Sequence, residues 1–424
     1  MILDRSKAPG YKVPEDFELL HPLEVILSNG AKFFYIATPG LNAVKIEILG
    51  KGQRSSLPLD HTLVSSFTMQ LLQEGTTKMN SEEISNLLDF HASEIHPILT
   101  FGHEGIGLLS TKSHFNSILP VLTDIFTEAV FPENILGKRK SQRKLTLSLE
   151  KEKTASRAGQ LFRKCLFGAF HPYGVQVEER HVDNINPTLL DFYYKNQLWQ
   201  NLEIFVTGNF DEEELLFLQN QLAKLPNRSA SDSVLLPETS SEQSVHEPRQ
   251  NAVQSSIRIG KLSIPKSHPD FIALSVFNTI LGGYFGSRLI KNIREDKGHT
   301  YGIHSSLSEI GDLNYWEVSA DVQKTYYLDV IKEIYHEIET LCNVPIDNDE
   351  LEVVRNYMIG QMLKQFSSSF DLMDRFRAAY HSDLTLDYYQ KKLDFLKSFT
   401  AKDILEVGQR YFSDRSSFVE VVVG

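Results

Sequence analysis

The chain alternates short apolar runs with amphipathic stretches, and the alternation comes twice. NLEIFVTG (residues 201–208) is an apolar, β-branched run closed by glycine, and SFVEVVVG (residues 417–424) repeats the form at the end of the chain. Runs of this kind suit buried strands. Each follows a helix start signal. Asn186-Pro187 precedes the first, with proline at the first helical position, and Thr400 with Asp403 three residues on precedes the second. Further back, VKIEI leading into LGKGQRSS has its counterpart in SSIRIGKLSIP leading into FIALSVFNTIL. HFNSILPVLTDIFTEAVF corresponds to YYLDVIKEIYHEIETLC, where Leu328, Ile331, Ile334, Ile338 and Leu341 recur at helical spacing. The pattern predicts an α+β protein of two homologous units, each a sheet covered by helices on one side. Periodicity alone leaves the strand order open.

Between the units, residues 226–255 are rich in Ser, Pro, Glu and Gln, a composition too polar to pack on itself. It reads as a linker between an N-terminal domain, residues 1–225, and a C-terminal domain, residues 256–424. A chain of 424 residues allows about two to four domains. With 41% hydrophobic and 23% charged residues it can build large cores without a disulfide or metal staple.

The net charge of −12 argues against a nucleic-acid partner. The dense basic run, Lys138 to Lys144, sits in a helical-looking stretch followed by Glu150 and Glu152, and reads as a solvated helix face. Cys165 and Cys342 form neither a metal-type spacing nor a disulfide framework, which fits a reducing compartment. The N-terminal segment lacks the apolar core of a signal peptide, and no run approaches the roughly 18 apolar residues of a membrane span. A cytoplasmic protein with no membrane partner is expected.

Two segments carry the candidate chemistry. SSFTMQLLQEGTTKMNSEE (residues 65–83) reads as a helix end, a Gly75-Thr76 turn and a new helix opened by Asn80-Ser81-Glu82-Glu83. LGGYFGSRLIKNIREDKGHTYGIHSS (residues 281–306) holds a glycine-rich turn at Gly282, Gly283 and Gly286, then Ser287-Arg288-Leu289, then Arg294-Glu295, Gly298 and Tyr301. Together they resemble the insulinase/pitrilysin family of zinc peptidases. In that family a helix in the first domain carries His-x-x-Glu-His ahead of a Gly-Thr, with two zinc ligands one turn apart and a general base between them. Counted back from Gly75, the histidine positions fall on Ser66 and Gln70 and the base on Met69. The distant carboxylate ligand falls within Leu145 to Leu147. None of these side chains supplies the imidazole or carboxylate that catalytic zinc requires.

The second segment departs less. The resemblance assigns Arg294 and Tyr301 to reach across to a zinc-bearing domain, contact the peptide backbone and stabilise the tetrahedral intermediate. A guanidinium and a phenol are suited to donate to carbonyl and oxyanion oxygens. The resemblance covers about Leu23 to Gly424 and implies two homologous domains, each a mainly antiparallel sheet covered by helices, forming half of a clam shell. It also implies a role: the non-zinc subunit of a heteromeric zinc metallopeptidase. That subunit holds no cofactor, and a homologous partner brings the zinc. The ligand is a peptide substrate, with a homodimer as the alternative state of the isolated chain. The rival reading is a scaffold or peptide-binding homologue that cuts nothing.

Other features read as structural. His171-Pro172-Tyr173-Gly174 echoes a family motif at a helix end. The stretch carrying Asp89, His91, Glu94, His96, His103 and Glu104 invites a replacement metal site, but its pattern is that of strands with polar turns. Ser65 and Ser66 lack a nucleophile elbow, and no Lys-Ser/Thr follows the glycines as a phosphate loop requires.

Overall fold

The computed structural model describes residues 19–230, 236–237 and 243–424. Among them the strands form two sheets. The first contains β1 (Leu23–Ile26), β2 (Lys32–Ala37), β3 (Ala43–Lys51), β4 (Glu94–Leu99), β5 (His103–Thr111) and β6 (Glu203–Gly208), in the order β1-β2-β6-β3-β5-β4. The second contains β7 (Ser244–Glu247), β8 (Gln254–Leu262), β9 (Thr300–Ile310), β10 (Leu313–Gln323) and β11 (Val419–Val423), in the order β7-β11-β8-β10-β9. With β1 set aside, the two orders are the same. In each, the last strand inserts between the first two, parallel to one and antiparallel to the other. These inserted strands, β6 and β11, are the glycine-ended apolar runs, and nearly every residue in them is buried. The α+β duplication expected from the sequence is present.

Helix boundaries follow local chemistry. Asn80 and Glu83 cap each other's backbone N–H groups, as do Thr400 and Asp403. The Asn186 side chain accepts from Leu189 N at 2.9 Å, with Pro187 in the first turn. The basic run lies on helix Glu133–Glu152, where acids neutralise much of it: Arg139 pairs with Glu74, Arg143 with Glu150 and Lys144 with Asp183. No helix among the described residues is long and apolar enough to cross a membrane.

Two findings depart from the sequence pattern. Residues 231–235 and 238–242 of the stretch read as a linker lie outside the described residues, but β7 also falls within that stretch and pairs in parallel with β11. Its sequence, SVHE, is too short and polar to signal a strand. The second departure concerns the sheet faces. One face of each sheet packs on its own half's helices, with Ile46, Ile48 and Leu108 against Phe67 and Ile118, and Ile257, Trp316 and Val318 against Phe277 and Ile334. The other face is not open. Helix Thr154–Phe167 lies on β8 and β11, and helix Ser369–Tyr380 lies on β2 and β6. Each half thus lends one helix, from an equivalent place in its chain order, to the sheet of the other. Leu161, Phe162 and Cys165 bury against Val419, Val421 and Val423, and Met373 against Phe34, Ile36 and Phe205. Consecutive buried residues in β2 are the local sign of a strand covered on both faces.

Candidate functional site

The helix that would carry zinc spans Val64–Leu71. The Ser66 hydroxyl donates back to the Leu63 carbonyl at 2.9 Å, Met69 is buried in the core, and Gln70 is exposed. Leu147 is buried and Leu145 exposed on helix Glu133–Glu152. No side chain at these positions is a zinc donor.

Beside them lies a closed polar knot. Glu104, fully buried, accepts from Ser65 Oγ at 2.7 Å, Tyr193 Oη at 2.6 Å and the Gln53 backbone at 3.2 Å. Burial pushes the Glu104 carboxyl up against the pull of these donors. Burial, together with the neighbouring carboxylate, also raises the Tyr193 phenol well above its ordinary range. Ser65 is a donor in this knot and has no imidazole partner, so it cannot act as a nucleophile. The knot ties the zinc-type helix to β5 and to helix Pro187–Asn196.

In the second segment the motif residues separate into two kinds. Helix Phe271–Asn278 continues into a π-helical turn, Thr279–Gly283, that rests on β9. Gly282 permits the approach, since a Cβ there would stand 2.7 Å from the Ser305 backbone nitrogen. Ser305 Oγ donates to Asn278 Oδ1, Asn278 Nδ2 donates to the Ser305 backbone carbonyl at 3.2 Å, and Trp316 Nε1 donates to Ser305 Oγ at 2.8 Å. Gly283 and Gly286 complete the turn. Arg288 grips Glu350 with two bonds, Nε–Oε1 at 3.0 Å and Nη2–Oε2 at 2.6 Å, and Leu289 is fully buried. A second π-helical turn, Ile290–Asp296, ends near Gly298, whose φ of +64° redirects the chain into β9. These residues hold the segment in place.

Arg294 and Tyr301 have no such role. Tyr301 is 91% exposed at the start of β9. Arg294 is half-buried, lies over the exposed ring of Phe285 at 5.0 Å and has no carboxylate partner among the described residues. β9 is an edge strand, so its outer backbone faces away from the sheet. Tyr301 thus lies on the edge strand, and the two π-helical turns packed against that strand lead into Phe285 and carry Arg294.

The histidine-rich stretch does not form a site of its own. His91 packs against Phe90 and His114, and Glu104 belongs to the buried knot. His103 instead meets Glu203 and His381, and this trio is the one group of His, Cys, Asp or Glu among the described residues placed to hold a metal. Sequence reading missed Glu203 and His381, which are 178 residues apart and carry no motif. Tyr173 has the structural role expected of it: it is buried, with its ring 4.6 Å from Phe101 and its hydroxyl against the β9–β10 turn.

Residues 186–358 match the family described as "Peptidase M16 inactive domain". The chain is similar to "Uncharacterized zinc protease YmxG" of Bacillus subtilis, 23% identical over 358 residues, covering 82% of this chain and 85% of that one. It is also similar to "Probable inactive metalloprotease YmfF" of the same organism, 20% identical over 264 residues, covering 60% of each. The crystal structure of a peptidase M16 inactive domain from Pseudomonas fluorescens superposes with a TM-score of 0.84 at 18% identity, covering 96% of this chain and 98% of that one. The fold is therefore that of the M16 peptidases. The words "inactive domain" and "inactive metalloprotease" are those of the matched family and of one relative, while the YmxG relative is named a zinc protease.

Proposed function

We propose that this chain, a member of the insulinase/pitrilysin (M16) peptidase family without that family's zinc ligands, is the non-zinc subunit of a heteromeric zinc peptidase. A homologous partner supplies the two histidines, the glutamate and the metal-activated water. This chain supplies Arg294 and Tyr301, which bind the peptide backbone and stabilise the oxyanion. The carrying observation is the division within residues 281–306. Gly282, Arg288 and Leu289 are consumed by packing, while Tyr301 is exposed on the edge strand β9 and half-buried Arg294 has no carboxylate partner among the described residues. Such an edge accepts an extended peptide as an added strand. Cys165 and Cys342 are both buried, and so sparse a use of cysteine suits a cytoplasmic setting.

The test is peptide hydrolysis by the complex recovered with the tagged chain, with and without a chelator. Arg294→Ala is expected to lower chelator-sensitive hydrolysis about 100- to 1,000-fold, the cost of one oxyanion donor. Unchanged hydrolysis would remove Arg294 from the mechanism. The second reading, a peptide-binding or scaffold homologue, is favoured by the name of the YmfF relative. Recovery of the chain alone, or of a complex without hydrolysis, would select it.

A further inference from the structure

His103, Glu203 and His381 meet where the helix lent by the second half crosses the first sheet. His103 opens β5, Glu203 opens β6, and His381 caps the C-terminus of helix Ser369–Tyr380. Their donor atoms all lie within 4.8 Å of one another. The imidazoles stack at 3.7 Å with 13° between their planes, and His381 Nε2 is 2.8 Å from Glu203 Oε2. The group forms one wall of a cavity of about 500 Å³ that Thr100, Asp312 and Ser382 also line.

We propose that these three side chains bind a divalent cation of the zinc type, clamping the lent helix to β5 and β6 with one coordination position open to the cavity. Two imidazoles and a carboxylate form a borderline donor set that suits zinc, cobalt or nickel and disfavours magnesium or calcium. A tetrahedral zinc with bonds of about 2.0–2.1 Å holds its donors roughly 3.4 Å apart. Binding would therefore unstack the imidazoles, which now lie 3.7 Å apart and nearly parallel, turning each ring so that its lone pair points at the ion. The Tyr380 phenol stands beside Glu203 and can support the carboxylate from outside. The charges facing the group are mixed: Lys266 is neutralised by Glu309 at 2.8 Å, and Lys51 and Asp312 face the same cavity. Residues from both halves build this site, and none belongs to the peptidase motif. The inference is therefore independent of the shared-active-site reading.

The test uses the full chain, chelator-stripped and without partner or peptide, titrated with zinc chloride by calorimetry and followed by thermal melting. One zinc per chain is expected, with a rise in Tm and no response to magnesium. His381→Gln and Glu203→Gln are expected to weaken zinc binding about tenfold or more and to abolish the rise in Tm. Cobalt in the wild-type chain is expected to give the visible absorption of a tetrahedral site, a readout that does not depend on how the variants fold. No cobalt band, or zinc bound equally by wild type and both variants at other histidines among the chain's 14, would overturn the site.

Discussion

Arg288 and Arg294 lie six residues apart in one motif, yet their surroundings give them opposite duties. Arg288 is locked to Glu350 by a two-pronged bond, while half-buried Arg294 lies over Phe285 with no carboxylate partner among the described residues. Arg288→Ala leaves the half-buried Glu350 carboxylate without its partner and is expected to cost about 1–3 kcal/mol in chemical denaturation. Tyr301→Ala is expected to stay within about 0.5 kcal/mol of wild type, as surface substitutions do. A clear loss of stability in Tyr301→Ala would show that the ring packs and would weaken its assignment to substrate. The motif made both arginines visible in the sequence. The resemblance singled out Arg294, but what ties Arg288 down was not legible, because that depends on Glu350, an acid on a distant helix. Glu203 and His381 were invisible for the same reason: the fold brings them to His103, and no spacing announces it.

At the scale of elements, legibility followed locality. The caps at Asn80, Asn186 and Thr400 were readable because each is settled within four residues. β6 and β11 were readable because central strands bury both faces. β7 was not, since its stability comes from pairing with β11 rather than from its own side chains. The glycine turn was recognisable, but its reason is contact across the fold. Gly282→Ala places a methyl against Ser305 and is expected to destabilise by about 1–3 kcal/mol through overpacking. Gly302→Ala, with nothing within 4 Å of the added carbon, serves as the control and is expected to be neutral. Equal urea midpoints for the two variants would deny the close approach.

At the scale of the molecule, the seam between the halves is held by charge as well as by the lent helices. Glu47 on β3 bonds to Arg377 on the lent helix, and Lys45 pairs with Asp374 at 2.8 Å. Burial pushes the Glu47 carboxyl up, but the Arg377 bond and the Lys45 charge outweigh it and hold the group below the usual carboxylate range. A carboxyl lowered on folding contributes its stability above the unfolded value, about 4.3, and loses it as pH falls through the folded one. Arg377→Ala is therefore expected to cost about 3 kcal/mol at pH 7, with the gap from wild type narrowing in melts below about pH 4. A gap that stays constant with pH would mean the pair carries no such linkage.

The reciprocal loan of helices has a further meaning. It is the contact pattern of a domain-swapped dimer whose two copies have been joined in one polypeptide. A protein of half this length, carrying one sheet and one such helix, would cover every apolar face by exchanging helices with its twin. Joining the twins through a polar stretch would require no new contact. A molecule built this way has no dispensable half. A cut between the halves would leave two fragments that still embrace, whereas deleting either fragment would strip the survivor's sheet of its cover and expose Phe34 and Phe205 on one side or Val419 and Val421 on the other.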